Sequence, residues 1–308
     1  MYTCRTQTRG GCAVLFIIIS ILIGCGISVM ISINGELSAR AGQILALLII
    51  YTVGLIGSTL LLLFSKQKVR EKGKRPPLYY FITGTLGLVI VALNNAAFRA
   101  GGVVLVLSGM LAGQTLVAFL FDLSNAHKRS RLATDLIALL LIASGVTAVG
   151  FAYAIPVKAI LLSVAPGIIL MLQILMNSSL GSYYGHMRTL QINYASGLAV
   201  IFIIALLLGI LSATTRGHVM AIPLPLLLFG GLLGIVGMAG QNILVRHMSA
   251  LALVLATYAG EFFMGIIIDT LLGKPFSLIH AAGLALVISG LTVRSLPSRT
   301  TAKSRAGQ

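Results

Sequence analysis

The stretch LALVLATYAGEFFMGIIID, residues 251–269, decides how the rest of the chain is read. It is an apolar run of about 20 residues, the length that crosses a bilayer as a helix. Near its middle stands Glu261, the one acidic residue that falls well inside an apolar segment. A carboxylate at mid-membrane costs about 2.5–3.5 kcal/mol on insertion scales, so it needs a partner, a proton or a task.

The composition around this stretch points the same way. Of 308 residues, 58% are hydrophobic and 9% charged, with a mean hydropathy of +1.04. A soluble domain carries about 25% charged residues, so a soluble protein is excluded. The net charge of +16 would suit nucleic acid, but Lys and Arg lie in short loops between apolar runs. That is the pattern of a multi-pass membrane protein, with the lipid bilayer and not nucleic acid as its partner. Cys4, Cys12 and Cys25 form no Cys-x-x-Cys pair and have no His nearby, so neither zinc nor a disulfide is expected. Arg5 and Arg9 precede an apolar run that is too long for a signal peptide and lacks its cleavage site. It reads as an uncleaved first transmembrane helix.

Ten apolar segments follow one another, at about 12–33, 44–64, 79–98, 102–121, 132–154, 159–180, 190–211, 222–244, 249–268 and 275–293. Each is near spanning length. Only a few residues separate the third from the fourth and the eighth from the ninth, which predicts two tight helical hairpins. Alternate loops share a side of the membrane, and one side collects 17 of the 22 Lys and Arg. By the positive-inside rule both termini are then cytoplasmic.

The chain also repeats. Asn34 and Asn177 open similar stretches, and Tyr51-x-x-Gly54 matches Tyr194-x-x-Gly197, both at an offset of 143. From the third helix the offset is 147: Gly84-x-x-Gly87 matches Gly231-x-x-Gly234, and Asn95, Arg99, Gly113-Gln114 and Asp122 match Asn242, Arg246, Gly260-Glu261 and Asp269. Such a run means two homologous units. With five crossings each, the second unit enters the membrane from the opposite side. The fold expected is all-α and integral to the membrane, ten transmembrane helices arranged as two inverted-topology five-helix repeats (residues 1–155 and 156–294) with a basic cytoplasmic tail (295–308). Inverted repeats are typical of secondary transporters that rock one repeat against the other.

No hydrolase, metalloprotease, Walker or dinucleotide motif is present, and the five histidines are scattered near helix ends. The expectation is therefore no enzyme, no cofactor and no metal. Glu261 has three readings: a proton- or cation-binding carboxylate, a protonated carboxyl that packs as Gln114 does, or the partner of a base such as His280. Asn94, Asn95, Gln241 and Asn242 lie late in the third and eighth helices, where amides either bond across helices or line a polar cavity. Gln173 and Asn177 share a face of the sixth helix by their spacing, and Asn34 mirrors Asn177. Together with Gln114 these residues are the candidate substrate or ion site. Arg99, Arg246, Asp122 and Asp269 read first as helix-end and loop anchors. Gly109-x-x-x-Gly113 and Gly230-x-x-x-Gly234 are spaced for close helix packing. Gly24 aligns with Gly167, next to Pro166, a level at which both helices could bend.

With the halves aligned, the chain resembles the YdcZ-type bacterial family of the drug/metabolite transporter superfamily. The likeness rests on a helix ending Asn34-Gly35, a Gly84-x-x-Gly87 helix with a late Asn95, and a Gly113-Gln114 helix ending in Asp122. The second half departs at Ser178, where the unit has Gly, and at Glu261, where it has Gln. The resemblance implies a protein of the bacterial cytoplasmic membrane, built as a fusion of two five-helix units. It supplies no substrate. The expected function is secondary transport of a small metabolite or amphiphilic compound by alternating access, with proton coupling through Glu261 as one form of it. A membrane scaffold, partner subunit or lipid-handling protein is the competing class, and the oligomeric state is left open.

Overall fold

The computed structural model describes residues 9–64, 76–124, 157–210, 222–248 and 250–273, with single positions at 137, 140, 141, 144, 282, 285, 286 and 289. Among these residues the chain is helical, without strands. The elements are α1 (Arg9–Ala41), α2 (Gln43–Phe64), a 3-10 turn (Leu78–Ile82), α3 (Thr83–Ser124), α4 (Val157–Tyr184), α5 (His186–Leu207), α6 (Leu224–Leu244) and α7 (Ala250–Leu271). Seven spans are long and apolar enough to cross a membrane, and Gly109–Phe121 is a shorter apolar piece. The expected fifth and tenth helices are described only at those single positions, and the Lys- and Arg-rich loop 65–75, His280 and the tail 295–308 fall outside the described residues.

The expected loop between the third and fourth helices is absent, because the backbone is helical from Thr83 to Ser124. A straight helix of that length would run about 60 Å. Yet a Cβ on Gly87 would lie 2.8 Å from Gln173 Nε2, and one on Gly113 would lie 2.7 Å from Ile168 N. Those two α4 residues are about 7.5 Å apart along the helix axis. α3 therefore doubles back between its apolar pieces, Leu78–Arg99 and Gly109–Phe121, and Ala97 and Val106 join one core cluster. The two pieces follow one another without an intervening non-helical loop. α6 and α7, by contrast, are joined by a short turn at residues 245–248.

Gly42 separates α1 from α2 and Gly185 separates α4 from α5, with φ of +82° and +83°. They match each other at the offset of 143. A side chain is disfavoured in this left-handed conformation, which stops a helix and lets the next begin at once. Hence α1 runs on past its apolar stretch to Ala41, and α5 begins at His186, earlier than its hydropathy suggests.

The halves pack in matched ways. A Cβ on Gly24 of α1 would overlap the Thr257 carbonyl of α7, and one on Gly260 would overlap the Ile21 carbonyl. At the equivalent positions, Gly167 of α4 meets the Met110 carbonyl of α3, and Gly113 meets the Val164 carbonyl. Backbones this close are the usual means of helix association where lipid gives no hydrophobic drive. Gly24 and Gly167 are thus matched close-approach positions, and α4 continues as helix through Pro166.

Residues 246–248 fix relative directions. Arg246 donates to Ser178 near the end of α4, whereas His247 stacks on Phe16 and Ser20 Oγ reaches Met248 Sδ near the start of α1. The start of α1 and the end of α4 therefore share one end of the molecule, so these matched helices run in opposite directions. The exterior carries Leu22, Leu63, Phe64, Leu161, Leu207 and Leu271, all more than half exposed, whereas Asn34, Asn94, Asn95, Gln173, Asn177 and Asn193 are buried. Apolar outside and polar inside suits a bundle whose solvent is lipid.

Candidate functional site

Two apolar clusters fill the bundle. One joins α1, α3, α4 and α7 around Ile27, Met110 and Phe262; the other joins α2, α5 and parts of α3 and α6 around Tyr51, Tyr194 and Ile235. Between them lies a cavity with about 100 Å³ of room for the centres of water-sized molecules, lined from α1 through α6. A single buried water needs about 10–15 Å³ by this measure, so the space holds several waters or a small solute.

Most of the lining comes in repeat-matched pairs. Asn34 and Asn177, Tyr51 and Tyr194, Gly87 and Gly234, and Asn94 and Gln241 all face the cavity. The tyrosines cross between the halves: Tyr51 packs on Gly197 and Tyr194 on Gly54. Their rings meet edge-on with centroids 5.6 Å apart, a favourable geometry for aromatic pairs. Tyr51 Oη also donates to the Gly84 carbonyl at 3.1 Å.

Of the nine sequence candidates, Asn34, Asn94, Gln173, Asn177, Gln241 and Asn242 line this cavity. Gln173 is held by donation from Nε2 to the Thr83 carbonyl at 2.7 Å, and Asn177 Oδ1 accepts from Asn193 Nδ2 at 3.5 Å. Asn34 Oδ1, Asn94 Oδ1 and both polar atoms of Asn242 are buried with no hydrogen-bond partner among the described residues. Asn95, 1% exposed, stands behind the wall with an unpartnered Nδ2. An orphaned buried amide costs about 1–3 kcal/mol, so the cavity favours an occupant that can bond to it.

Glu261 and Gln114 are not in the lining. Glu261 is 3% exposed and sits at the α1–α7 contact, where its backbone N lies 2.9 Å from a Cβ built on Gly24. Its neighbour Gly260 accepts from Cys25 Sγ at 3.4 Å. No described side chain bonds to the Glu261 carboxyl. Gln114 occupies the matched place at the α3–α4 contact, with Gly113 against Val164 and Ile168.

Gly230 and Gly234 act as receivers of side chains rather than as a helix-to-helix contact. A Cβ on Gly230 would overlap Asn34 Oδ1, and one on Gly234 would lie 2.9 Å from Tyr194 Oη. The tyrosines are the cavity residues that sequence reasoning passed over. Tyr-x-x-Gly marks the repeat, and its recurrence in both halves is the sequence signal that points to them.

The profile of a family described as "Putative inner membrane exporter, YdcZ" matches the chain twice, over residues 15–148 and 158–293. The chain belongs to this YdcZ family. Two matches in tandem also establish the internal duplication. A solved crystal structure described only as that of a protein is similar at 16% identity and a TM-score of 0.62, covering 94% of this chain and 99% of that one. It speaks for the fold alone. No curated protein matches.

Within the YdcZ unit, the second half's Ser178 has a physical account. In the first half Gly35 lies under Phe98, whose Cε1 would be 2.7 Å from a Cβ there. In the second half Arg246 Nε donates to Ser178 Oγ at 3.1 Å, and the guanidinium also bonds the Ser178 carbonyl. Partial burial lowers the Arg246 pKa from its ordinary value. Ser178 thus meets the arginine of its own half, whereas Gly35 meets Phe98, whose equivalent in the second half is Val245.

Proposed function

We propose that this YdcZ-family protein is a secondary transporter of the drug/metabolite type, carrying a small metabolite or amphiphilic compound across the bacterial inner membrane by alternating access. In this reading ten helices form two inverted five-helix repeats with both termini cytoplasmic. The observation that carries it is the central cavity lined by matched residues of both halves, Asn94 with Gln241 and Asn34 with Asn177. A rocking of one half against the other would exchange the side from which such a cavity is reached. Opposed directions of α1 and α4 support the inversion.

Proton coupling enters through Glu261. Lying off the cavity, its carboxyl would not meet the substrate directly. Gain or loss of a proton would change the charge inside the α1–α7 contact and bias which packing is favoured.

The test loads proteoliposomes with a bacterial metabolite extract and follows each compound by mass spectrometry. At least one compound should leave faster through the natural protein than through Gly237→Leu, a bulky replacement in the cavity wall against Ile27. Equal loss of every compound, with and without a pH gradient, would leave a scaffold or partner role as the better account.

A further inference from the structure

The cavity wall carries two side-chain amides that no described group bonds. Asn94 on α3 and Gln241 on α6 are each 5% exposed, come from opposite halves, match at an offset of 147 and face the same space. Neither side-chain amide has a hydrogen-bond partner among the described residues. Asn94 Oδ1 is orphaned outright, and so are Asn34 Oδ1 and both ends of the Asn242 amide nearby. A carboxamide carries donors and an acceptor at once, so a pair of them suits a group that also does both.

We propose that Asn94 and Gln241 form an amide clasp for an uncharged carboxamide or hydroxyl group on a compact molecule with an apolar body. The proposal rests on the transport reading and names the substrate class of its cavity. The remaining wall sets the apolar part: Ile27, Ile31, Met30, Met110 and Met238 leave room for a hydrocarbon or aromatic body against adaptable thioethers. Charge is what this wall does not answer. Among the described lining residues there are amides, phenols and thioethers but no carboxylate, ammonium or guanidinium. An ion entering it would give up its hydration for no opposite charge, a loss of several kcal/mol. Aromatic faces do not offer a substitute, since both tyrosine rings are packed on glycines of the opposite half and on each other. A neutral donor meets the orphaned amide oxygens and leaves water at much smaller cost.

The test uses the full chain in lipid nanodiscs and four probes with the same ring: benzamide, benzyl alcohol, benzoate and benzyltrimethylammonium. Saturable binding is read by ligand-observed NMR, with the Gly237→Leu protein as the blank for partition into lipid. Benzamide should bind best, benzyl alcohol next, and the two ions at least tenfold more weakly. Asn94→Leu and Gln241→Leu should each weaken benzamide about tenfold, as loss of a hydrogen bond in a desolvated site does. Both variants should fold, because leucine removes an unpartnered amide, and unliganded unfolding midpoints check this. If either fails to fold, Asn94→Asp takes its place. That change adds a carboxylate to the cavity and should turn preference toward benzyltrimethylammonium. Equal or tighter binding of an ion by the natural protein overturns the inference, as does unchanged benzamide binding in the leucine variants or no benzamide binding at all. The metabolite-efflux assay judges transport separately, so efflux that persists while benzamide fails to bind removes the clasp and keeps the transporter.

Discussion

Replacing Gly24 with alanine tests the packing that holds the two halves in register. The added methyl would overlap the Thr257 carbonyl and come within 2.9 Å of the Glu261 backbone nitrogen. Neither obstacle is the movable end of a side chain, so α1 and α7 must part. Overpacking of this kind costs about 1–3 kcal/mol. At 1.4 kcal/mol per tenfold, that is a factor of roughly 5 to 150 in the ratio of folded to unfolded protein. Gly26, two residues on in the same helix, is the internal control. A Cβ there meets nothing closer than Leu233 Cδ2 at 3.9 Å. Its alanine variant should stay within about 0.5 kcal/mol of the natural protein. The assay is reversible unfolding in mixed micelles, followed by circular dichroism as the denaturing detergent rises. Pairs sharpen it. Gly24→Ala with Gly260→Ala strains one contact twice and should cost less than the sum. Gly24→Ala with Gly113→Ala strains two separate contacts and should add within about 0.5 kcal/mol. Equal losses for Gly24→Ala and Gly26→Ala would refute the helix arrangement.

Three further outcomes follow from the same geometry. Tyr51→Phe removes the bond to the Gly84 carbonyl and should lower stability by about 0.6 kcal/mol, the average for such bonds in membranes; Tyr194→Phe, measured alongside, should lose less. Glu261→Gln installs the residue that the matched site already carries in Gln114, so the protein should fold normally yet lose any efflux driven by a pH gradient; unchanged gradient-driven efflux would exclude Glu261 as the proton carrier. Glu36 pairs with Arg40 at 2.6 Å on a half-exposed helix end, so Glu36→Gln should shift the unfolding free energy by no more than about 0.5 kcal/mol, and less as salt is added.

Much of this architecture was readable from one sequence. Hydropathy alone placed 44–64 and 222–244 almost where α2 and α6 lie. The offsets 143 and 147 paired residues that now share a cavity, because duplication preserves order along the chain as well as in space. Helix ends were less legible. α1 continues through Asn34, Glu36 and Arg40 to Gly42, since a helix needs no apolar side chains once its backbone bonds are made. The reversal inside α3 left no loop signature, for Arg99, Ala100, Gly101 and Gly102 stay helical. The site was read in part. Six of nine candidate polar residues line the cavity, whereas Glu261, the costliest by hydropathy, sits at a helix contact instead. Cost of burial tells that a residue is special without telling which neighbour it faces. Tyr51 and Tyr194 escaped notice as lining because each touches the other half, a contact that no pattern within one half encodes.

A cavity enclosed by matched halves and proposed to open to either side in turn makes a direct demand on solvent access. Single cysteines at Val91 and Met238, a repeat-matched pair in the lining, measure it in a protein whose own cysteines are replaced. Reference cysteines at Arg40 and Arg188, both exposed at described helix ends, mark the two faces of the membrane. Membrane-impermeant thiol reagents should reach Arg40→Cys and Arg188→Cys from opposite sides only, and should reach Val91→Cys and Met238→Cys from both. Labelling of both cavity positions from one side alone, whatever the pH gradient, would contradict the account.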